Sequence, residues 1–191
     1  MTHPLEQEYG LTAEELLEAI NRRFRAKVTL EGAVAEVHLG KHIRELFQRG
    51  LITKFEEHDL DGYPDYTIWV HSQPKRRFRI ECKNIRNRNE AYKKGGAVIA
   101  YKVETQKTRS SKGDKSSRYY GYDYFDILAV CLGKKTHDWT QFMYILTKNL
   151  SSHEKYKNKI AVMHPVPIPN SIIKPPWYIS LEILLRELVS D

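Results

Sequence analysis

Two cysteines, Cys82 and Cys131, are too few and too far apart in this 191-residue chain for a disulfide framework or a zinc knuckle. Each lies inside an apolar run, so both are expected as buried, reduced thiols. No stretch is long and apolar enough to span a membrane, and the first residues carry no apolar segment of a secretory signal. A soluble cytoplasmic protein is the expectation. Glycine is sparse, with ten residues, and Gly113 with Lys115 and Ser116 lacks the spacing of a phosphate-binding loop. His38 and His42 have the i, i+4 spacing of a helical zinc pair, but Leu39, Gly40 and Lys41 between them break the HExxH pattern. Both histidines are expected to face solvent or a polyanion. His153 and Asn158 fall short of an HNH arrangement, and no internal repeat, helicase motif or separate target-recognition domain is visible. These absences set aside the disulfide-rich secreted, membrane, zinc-peptidase and phosphate-loop classes.

What is present is an ordinary core and an excess of positive charge. Hydrophobic residues make up 41% of the chain, and the net charge is +7. A basic surface steers polyanions, nucleic acid first. Residues 1–10 read as a frayed start. Thr12 with Glu15 is a capping box, and Leu16, Leu17, Ile20 and Phe24 follow at helical spacing. A second helix is predicted over 32–48, with Val34, Val37, Ile43 and Phe47 buried and Gly50 as its stop. Strands are predicted over 51–57, 66–70 and 77–83, and a helix over 91–105 weakened by Gly95-Gly96. Residues 107–117 read as a mobile loop. The run 125–132 suits a buried central strand, followed by strands at 142–147 and 159–163. Pro165 to Pro176 holds five of the eight prolines and should be irregular, before a closing helix from Ser180. The order predicts one mixed α/β domain over 1–191, with helices flanking a central mixed β-sheet.

The chemistry concentrates in Gly62 to Asn84. Asp65 follows Pro64, and Glu81-Cys82-Lys83 comes sixteen residues later. Over 77–83 the apolar Phe78, Ile80 and Cys82 alternate with the charged Arg77, Arg79, Glu81 and Lys83, so one strand face enters the core and the other faces a cleft. A hairpin turning near Gln73–Pro74 sets Asp65 opposite Cys82 or Lys83. Only the second register puts Asp65, Glu81 and Lys83 on one face. Two carboxylates side by side repel, and a hard cation such as Mg²⁺ resolves the conflict with oxygen ligands. Lys83 would then orient the attacking water or stabilise charge on phosphorus. From Asn84 to Arg118, ten Lys or Arg face three acids. Arg109, Lys112, Lys115 and Arg118 within it, and Tyr119 just after it, are candidates for holding phosphates and packing against bases.

Pro64-Asp65 followed by Glu81-Cys82-Lys83, on two adjacent strands after a helix, resembles the PD-(D/E)xK nuclease superfamily, the fold of most type II restriction endonucleases. The resemblance covers residues 31–133, taken as the catalytic core, with 1–30 as a helical extension. It implies that Glu36 completes the site from the preceding helix and that the Cys82 carbonyl joins Asp65 and Glu81 on the metal. It also makes Gln106 and Lys107 candidates for the polar residue that follows the motif. The implied activity is a Mg²⁺-dependent endonuclease, with Mn²⁺ as a substitute, that cuts double-stranded DNA at a specific site as a homodimer. A repair or recombination nuclease of the same fold, such as a junction resolvase, and a non-catalytic nucleic-acid-binding protein are the alternatives.

Overall fold

The computed structural model describes residues 2–60, 62–87, 90–107 and 113–190. Its contacts divide the chain into two units, one up to Val34 and one from Ala35 onward. The first holds α1 (Pro4–Tyr9), α2 (Ala13–Asn21) and the start of α3 (Phe24–Gln48). Residues 3–10 are not frayed: a His3–Glu6 capping box opens α1, and Gly10, left-handed at φ 64°, closes it. The predicted Thr12–Glu15 box opens α2. Helix α3 begins eight residues earlier than expected and runs through Gly32, because one helical glycine costs only about 1 kcal/mol. No described helix is long and apolar enough to cross a membrane.

The second unit is a mixed α/β fold whose centre is a six-stranded mixed sheet. In chain order its strands are β1 (Ile52–Glu57), β2 (Tyr66–Val70), β3 (Gln73–Asn84), β6 (Ile127–Cys131), β7 (Phe142–Leu146) and β9 (Trp177–Tyr178), and they lie side by side in that order. Only β3 and β6 run parallel. A second sheet is formed by β4 (Ala91–Lys94), β5 (Ala97–Glu104) and β8 (Met163–Val166). The short α4 (Gly133–Thr136) follows β6, and α5 (Leu181–Ser190) ends the described chain.

Each face of the large sheet has its own core. On one face, Ala35, Leu39, Ile43 and Leu46 of α3 and Leu181, Leu184 and Leu185 of α5 pack against Ile68, Ile80 and Cys82. On the other, Val103 and Val166 of the small sheet pack against Leu128, Val130 and Ile145. Every residue of β6 is buried, as a strand covered on both faces must be. The stripe of α3 differs from the expected one. Val37 and Phe47 stay exposed, and Phe47 packs edge-on against Phe55 at 5.5 Å instead of entering the core. Cys82 and Cys131 are buried free thiols.

The helix predicted over 91–105 is instead the β4–β5 hairpin. Gly95 and Gly96 have φ of 57° and 83°, both positive, which is the requirement of a two-residue type I′ turn. The strand expected at 159–163 forms later, as β8, while Lys159 and Ile160 make isolated bridges. The loop expected over 107–117 falls partly on 108–112, outside the described residues.

Candidate active site

Three elements bring the acidic and basic side chains together. Strands β2 and β3 pair with Tyr66 opposite Ile80 and Thr67 opposite Arg79. Asp65 lies one residue before that ladder, and continuing the register would set it opposite Glu81 rather than the expected Cys82 or Lys83. The difference arises at the turn. His71 and Ser72 make it, Val70 pairs with Gln73, and a bulge between Trp69 and Val70 shifts the register before the long ladder begins. Residues directly opposite share a face, and so do residues two apart on one strand. Asp65, Glu81 and Lys83 therefore lie on one face.

The carboxylates are held by short polar contacts. Asp65 follows the buried Pro64 and accepts a hydrogen bond at Oδ2 from the Cys82 N–H, at 2.6 Å. In an extended strand the N–H and C=O of one residue point the same way, so the Cys82 carbonyl leaves β3 on the Asp65 side. Burial pushes the Asp65 carboxyl up to about 7, the Glu81 charge adds to the rise, and Lys83 opposes it. The Glu81 side chain is buried. Its Oε1 accepts from the Tyr120 hydroxyl at 2.6 Å and forms the ion pair with Lys83 Nζ. Burial alone would lower the Lys83 ammonium, but Glu81, Tyr120 and Asp65 outweigh it and raise it well above the ordinary lysine range.

Glu36 approaches from α3. The Tyr66 hydroxyl donates to the Glu36 carbonyl at 3.0 Å, and Gly40 one turn later makes room for that ring. A Cβ at Gly40 would lie 2.5 Å from the Tyr66 hydroxyl. The Glu36 carboxyl is raised chiefly by burial, lowered by Lys83 and raised again by Glu81, so it shares their electrostatic environment. No group of three or more His, Cys, Asp or Glu side chains among the described residues is disposed to hold a metal ion. The expected donor set is Asp65, Glu81 and the Cys82 carbonyl. It is all oxygen, and two carboxylates match the demand of Mg²⁺, which takes its remaining ligands from water and phosphate.

The expected DNA contacts divide. Lys107 stands at the rim of the site, its Nζ 4.7 Å from the Tyr124 ring and 5.9 Å from the Tyr120 ring. The Gln106 amide donates to Glu104, and Arg118 Nε donates to the Lys107 carbonyl at 3.4 Å. Tyr119 packs on His153 at 4.3 Å and on Tyr156 at 5.6 Å. Arg109 and Lys112 lie outside the described residues, as does the side chain of Lys115. A cleft of about 570 Å³ lies beside the hairpin, lined by Tyr63, Pro64, Arg77, Lys107, Tyr119 and Lys159. Arg79 also lines it, but is pinned by Asp126 and by the Asp123 carbonyl at 2.6 Å.

Tyr120 and Lys159 escape a reading of the sequence. The tyrosine-dense run 119–124 signals the neighbourhood, but nothing in it singles out the hydroxyl that reaches Glu81. His42 also differs from expectation. His42 is half-buried, bonded through Nδ1 to the Tyr144 hydroxyl at 3.0 Å and edge-on to Phe142. His153 accepts the Lys155 N–H at 3.1 Å, the local turn contact of a structural residue.

No family model and no curated protein matches the chain. Among solved structures, that of a bacterial homing endonuclease, I-Ssp6803I, is similar, with a TM-score of 0.50 and 14% identity. The match covers 85% of this chain and 96% of that one. At this identity the likeness is one of fold.

Proposed function

We propose that this chain is a divalent-metal-dependent endonuclease of the PD-(D/E)xK type that cuts double-stranded DNA at a specific site. The observation that carries the reading is the β2–β3 ladder, which pairs Tyr66 with Ile80 and, continued by one residue, would set Asp65 opposite Glu81 on the face that also bears Lys83. Asp65, Glu81 and the Cys82 carbonyl would hold Mg²⁺, or Mn²⁺ in its place. When bound, the cation polarises the phosphoryl oxygen and lowers the pKa of water. Lys83, held protonated between the carboxylates, orients the attacking water and offsets charge on the phosphate. Glu36 adds a fourth ionisable group from the helix side. Lys107 and Lys159 line the adjoining cleft and hold the DNA backbone as point charges. The catalytic unit is the one from Ala35 onward, and a homodimer would give one site per strand.

A type II restriction enzyme is the preferred role. The fold shared with a homing endonuclease supports DNA endonuclease action in general and brings homing forward as the second role. The test is nicking and linearisation of supercoiled plasmid with Mg²⁺ or with EDTA, alongside Asp65→Ala and Lys83→Ala. Cutting that needs Mg²⁺ and is lost in both variants is the expected result. Intact plasmid, or cutting unchanged in the variants, overturns the reading. Frequent discrete fragments from unrelated plasmids mark restriction, and cutting of branched DNA alone marks junction resolution.

A further inference from the structure

The β4–β5 hairpin takes no part in the site described above, and among the described residues no other strand pairs with its outer half. From Ala100 outward β5 pairs with β4 alone, since its pairing with β8 spans only Tyr101 to Glu104. All seven residues from Lys93 to Ile99 are exposed. A bare, partly apolar two-stranded ribbon is a liability unless a partner covers it. The charge on this one is one-sided. Strands β4 and β5 carry Lys93, Lys94 and Lys102, and their only acid, Glu104, is held by Arg86 and Gln106.

The base of the ribbon is fastened to the catalytic strand. Ile85, two residues beyond Lys83, bridges Val103. Arg86 grips Glu90 through two hydrogen bonds, at 2.9 and 3.0 Å, and Glu104 through a third. Lys135 Nζ donates to the Asn87 carbonyl at 3.0 Å and stands 5.3 Å from the Tyr101 ring. The far end of β5 leads to Lys107 at the rim of the site. An element fixed so firmly to Glu81 and Lys83 is suited to hold a target at a set distance from the reacting phosphate.

We propose that the β4–β5 ribbon enters the major groove of double-stranded DNA and reads base edges there. This rests on the endonuclease reading and names the element that selects its target. A two-stranded ribbon fits the major groove, about 12 Å wide. Lys93 and Lys94 meet the flanking phosphates, and the exposed Val98 and Ile99 offer apolar contact to thymine methyl groups. From Lys83 to the Gly96 tip the chain rises at most about 43 Å, at about 3.3 Å per residue. That reach corresponds to base pairs within about thirteen of the cut, at about 3.4 Å each.

The test uses the full chain and a duplex library with a randomised 30-base-pair centre. Binding is measured against salt by fluorescence anisotropy, and the products of cleavage with Mg²⁺ are sequenced. The paired substitution Lys93→Ala/Lys94→Ala should flatten the slope of log Kd against log salt by about two, near 0.9 for each phosphate that is no longer neutralised. Ile99→Ala should alter base preference at one or two positions away from the cut and leave the preference beside it unchanged. An unchanged slope with an unchanged cleavage profile overturns the proposal. So does conversion of a dimer to a monomer by the lysine pair in sedimentation, which would make the ribbon a subunit contact. Wild-type protein that binds DNA but cuts nothing removes the nuclease reading alone, and the slope still decides the ribbon. Protein that binds no DNA removes both.

Discussion

Two hairpins stand one after the other in this chain and differ in what they bury. In β2–β3 the core-facing side chains are sealed under α3, and the other face buries Glu81 against Lys83 and Tyr120. In β4–β5 the outer half is exposed on both faces. The first holds charge in a place where charge is expensive, as the proposed chemistry requires. The second holds lysines where water already solvates them, which suits long-range attraction and binding. The contrast predicts that damage to the first hairpin is measured in catalysis and damage to the second in affinity.

The largest effect should come from Asp65→Asn. Asparagine keeps an oxygen for the Cys82 N–H, so the hairpin survives, but it removes one carboxylate from the proposed metal site. Plasmid cutting should fall by about a thousandfold or more, in line with the loss of a group that acts directly in electrostatic catalysis. Lys93→Ala/Lys94→Ala should leave the cutting rate of saturated DNA within about threefold, since each 1.4 kcal/mol is needed for a factor of ten. Equal losses of single-turnover rate in the two variants would erase the division between the hairpins.

Tyr120→Phe comes next. It removes one hydrogen bond from the buried Glu81 and leaves Lys83 as the partner of Oε1. A group that orients a metal ligand is typically worth 10- to 100-fold in metal affinity or activity. Mn²⁺ binding followed by electron paramagnetic resonance should weaken by about that factor, and the Mg²⁺ concentration for half-maximal cutting should rise. A falling maximal rate at unchanged Mn²⁺ affinity would show that Tyr120 does not position Glu81 for the metal.

The pH dependence of stability sharpens the same point. Asp65 moves from 3.8, its ordinary value, to about 7 in the folded chain. Between those values the folded chain holds a proton that the unfolded chain has released, so stability falls as pH rises through this window. The cost is complete above about pH 7 and absent below about pH 4. Asp65→Asn carries no such cost. Its Tm relative to wild type should therefore rise from pH 4 to pH 8, by at least about 2 °C on the scale of a chain this size. Adding Mg²⁺ at pH 8 should narrow the gap, because the cation compensates the charge that the protein does not. A gap independent of pH would mean that Asp65 is not the strained carboxylate.

The two hairpins also explain which parts of the fold are legible in the sequence. In β3, Phe78, Ile80 and Cys82 alternate with charged residues because one face is buried, and that alternation announces both the strand and the face of the site. Asp65, Glu81 and Lys83 follow from it, but their register does not, because the bulge at Trp69–Val70 leaves no mark in composition. In β4–β5 the ribbon tip is uncovered on both faces, so no selection for alternation acts on residues 93–99, and a helix reading is open. Tyr120 is illegible for another reason: it reaches Glu81 across 39 positions of sequence, and only the parallel pairing of β3 with β6 brings those segments together.

The smallest expected effect lies at the ribbon turn, where sequence and backbone meet most directly. Gly95 and Gly96 both have positive φ, at 57° and 83°. A Cβ at Gly95 would meet no atom within 4 Å, so crowding is not what requires glycine there. The requirement is the left-handed backbone, which costs an ordinary L-residue roughly 1–2 kcal/mol. Asparagine escapes much of that cost, and Asn-Gly is a favoured pair in type I′ turns. Gly95→Ala should therefore speed amide hydrogen exchange across 93–99 by about fivefold to thirtyfold, since the turn is strained by about that energy. Gly95→Asn should leave the same amides near wild type. The global Tm should move little in either variant, because the exposed tip contributes nothing to either core. If alanine and asparagine loosen the tip equally, the turn is not held in the I′ form. If alanine lowers the global Tm as much as a core substitution would, the ribbon belongs to the folded body and the contrast between the two hairpins is lost.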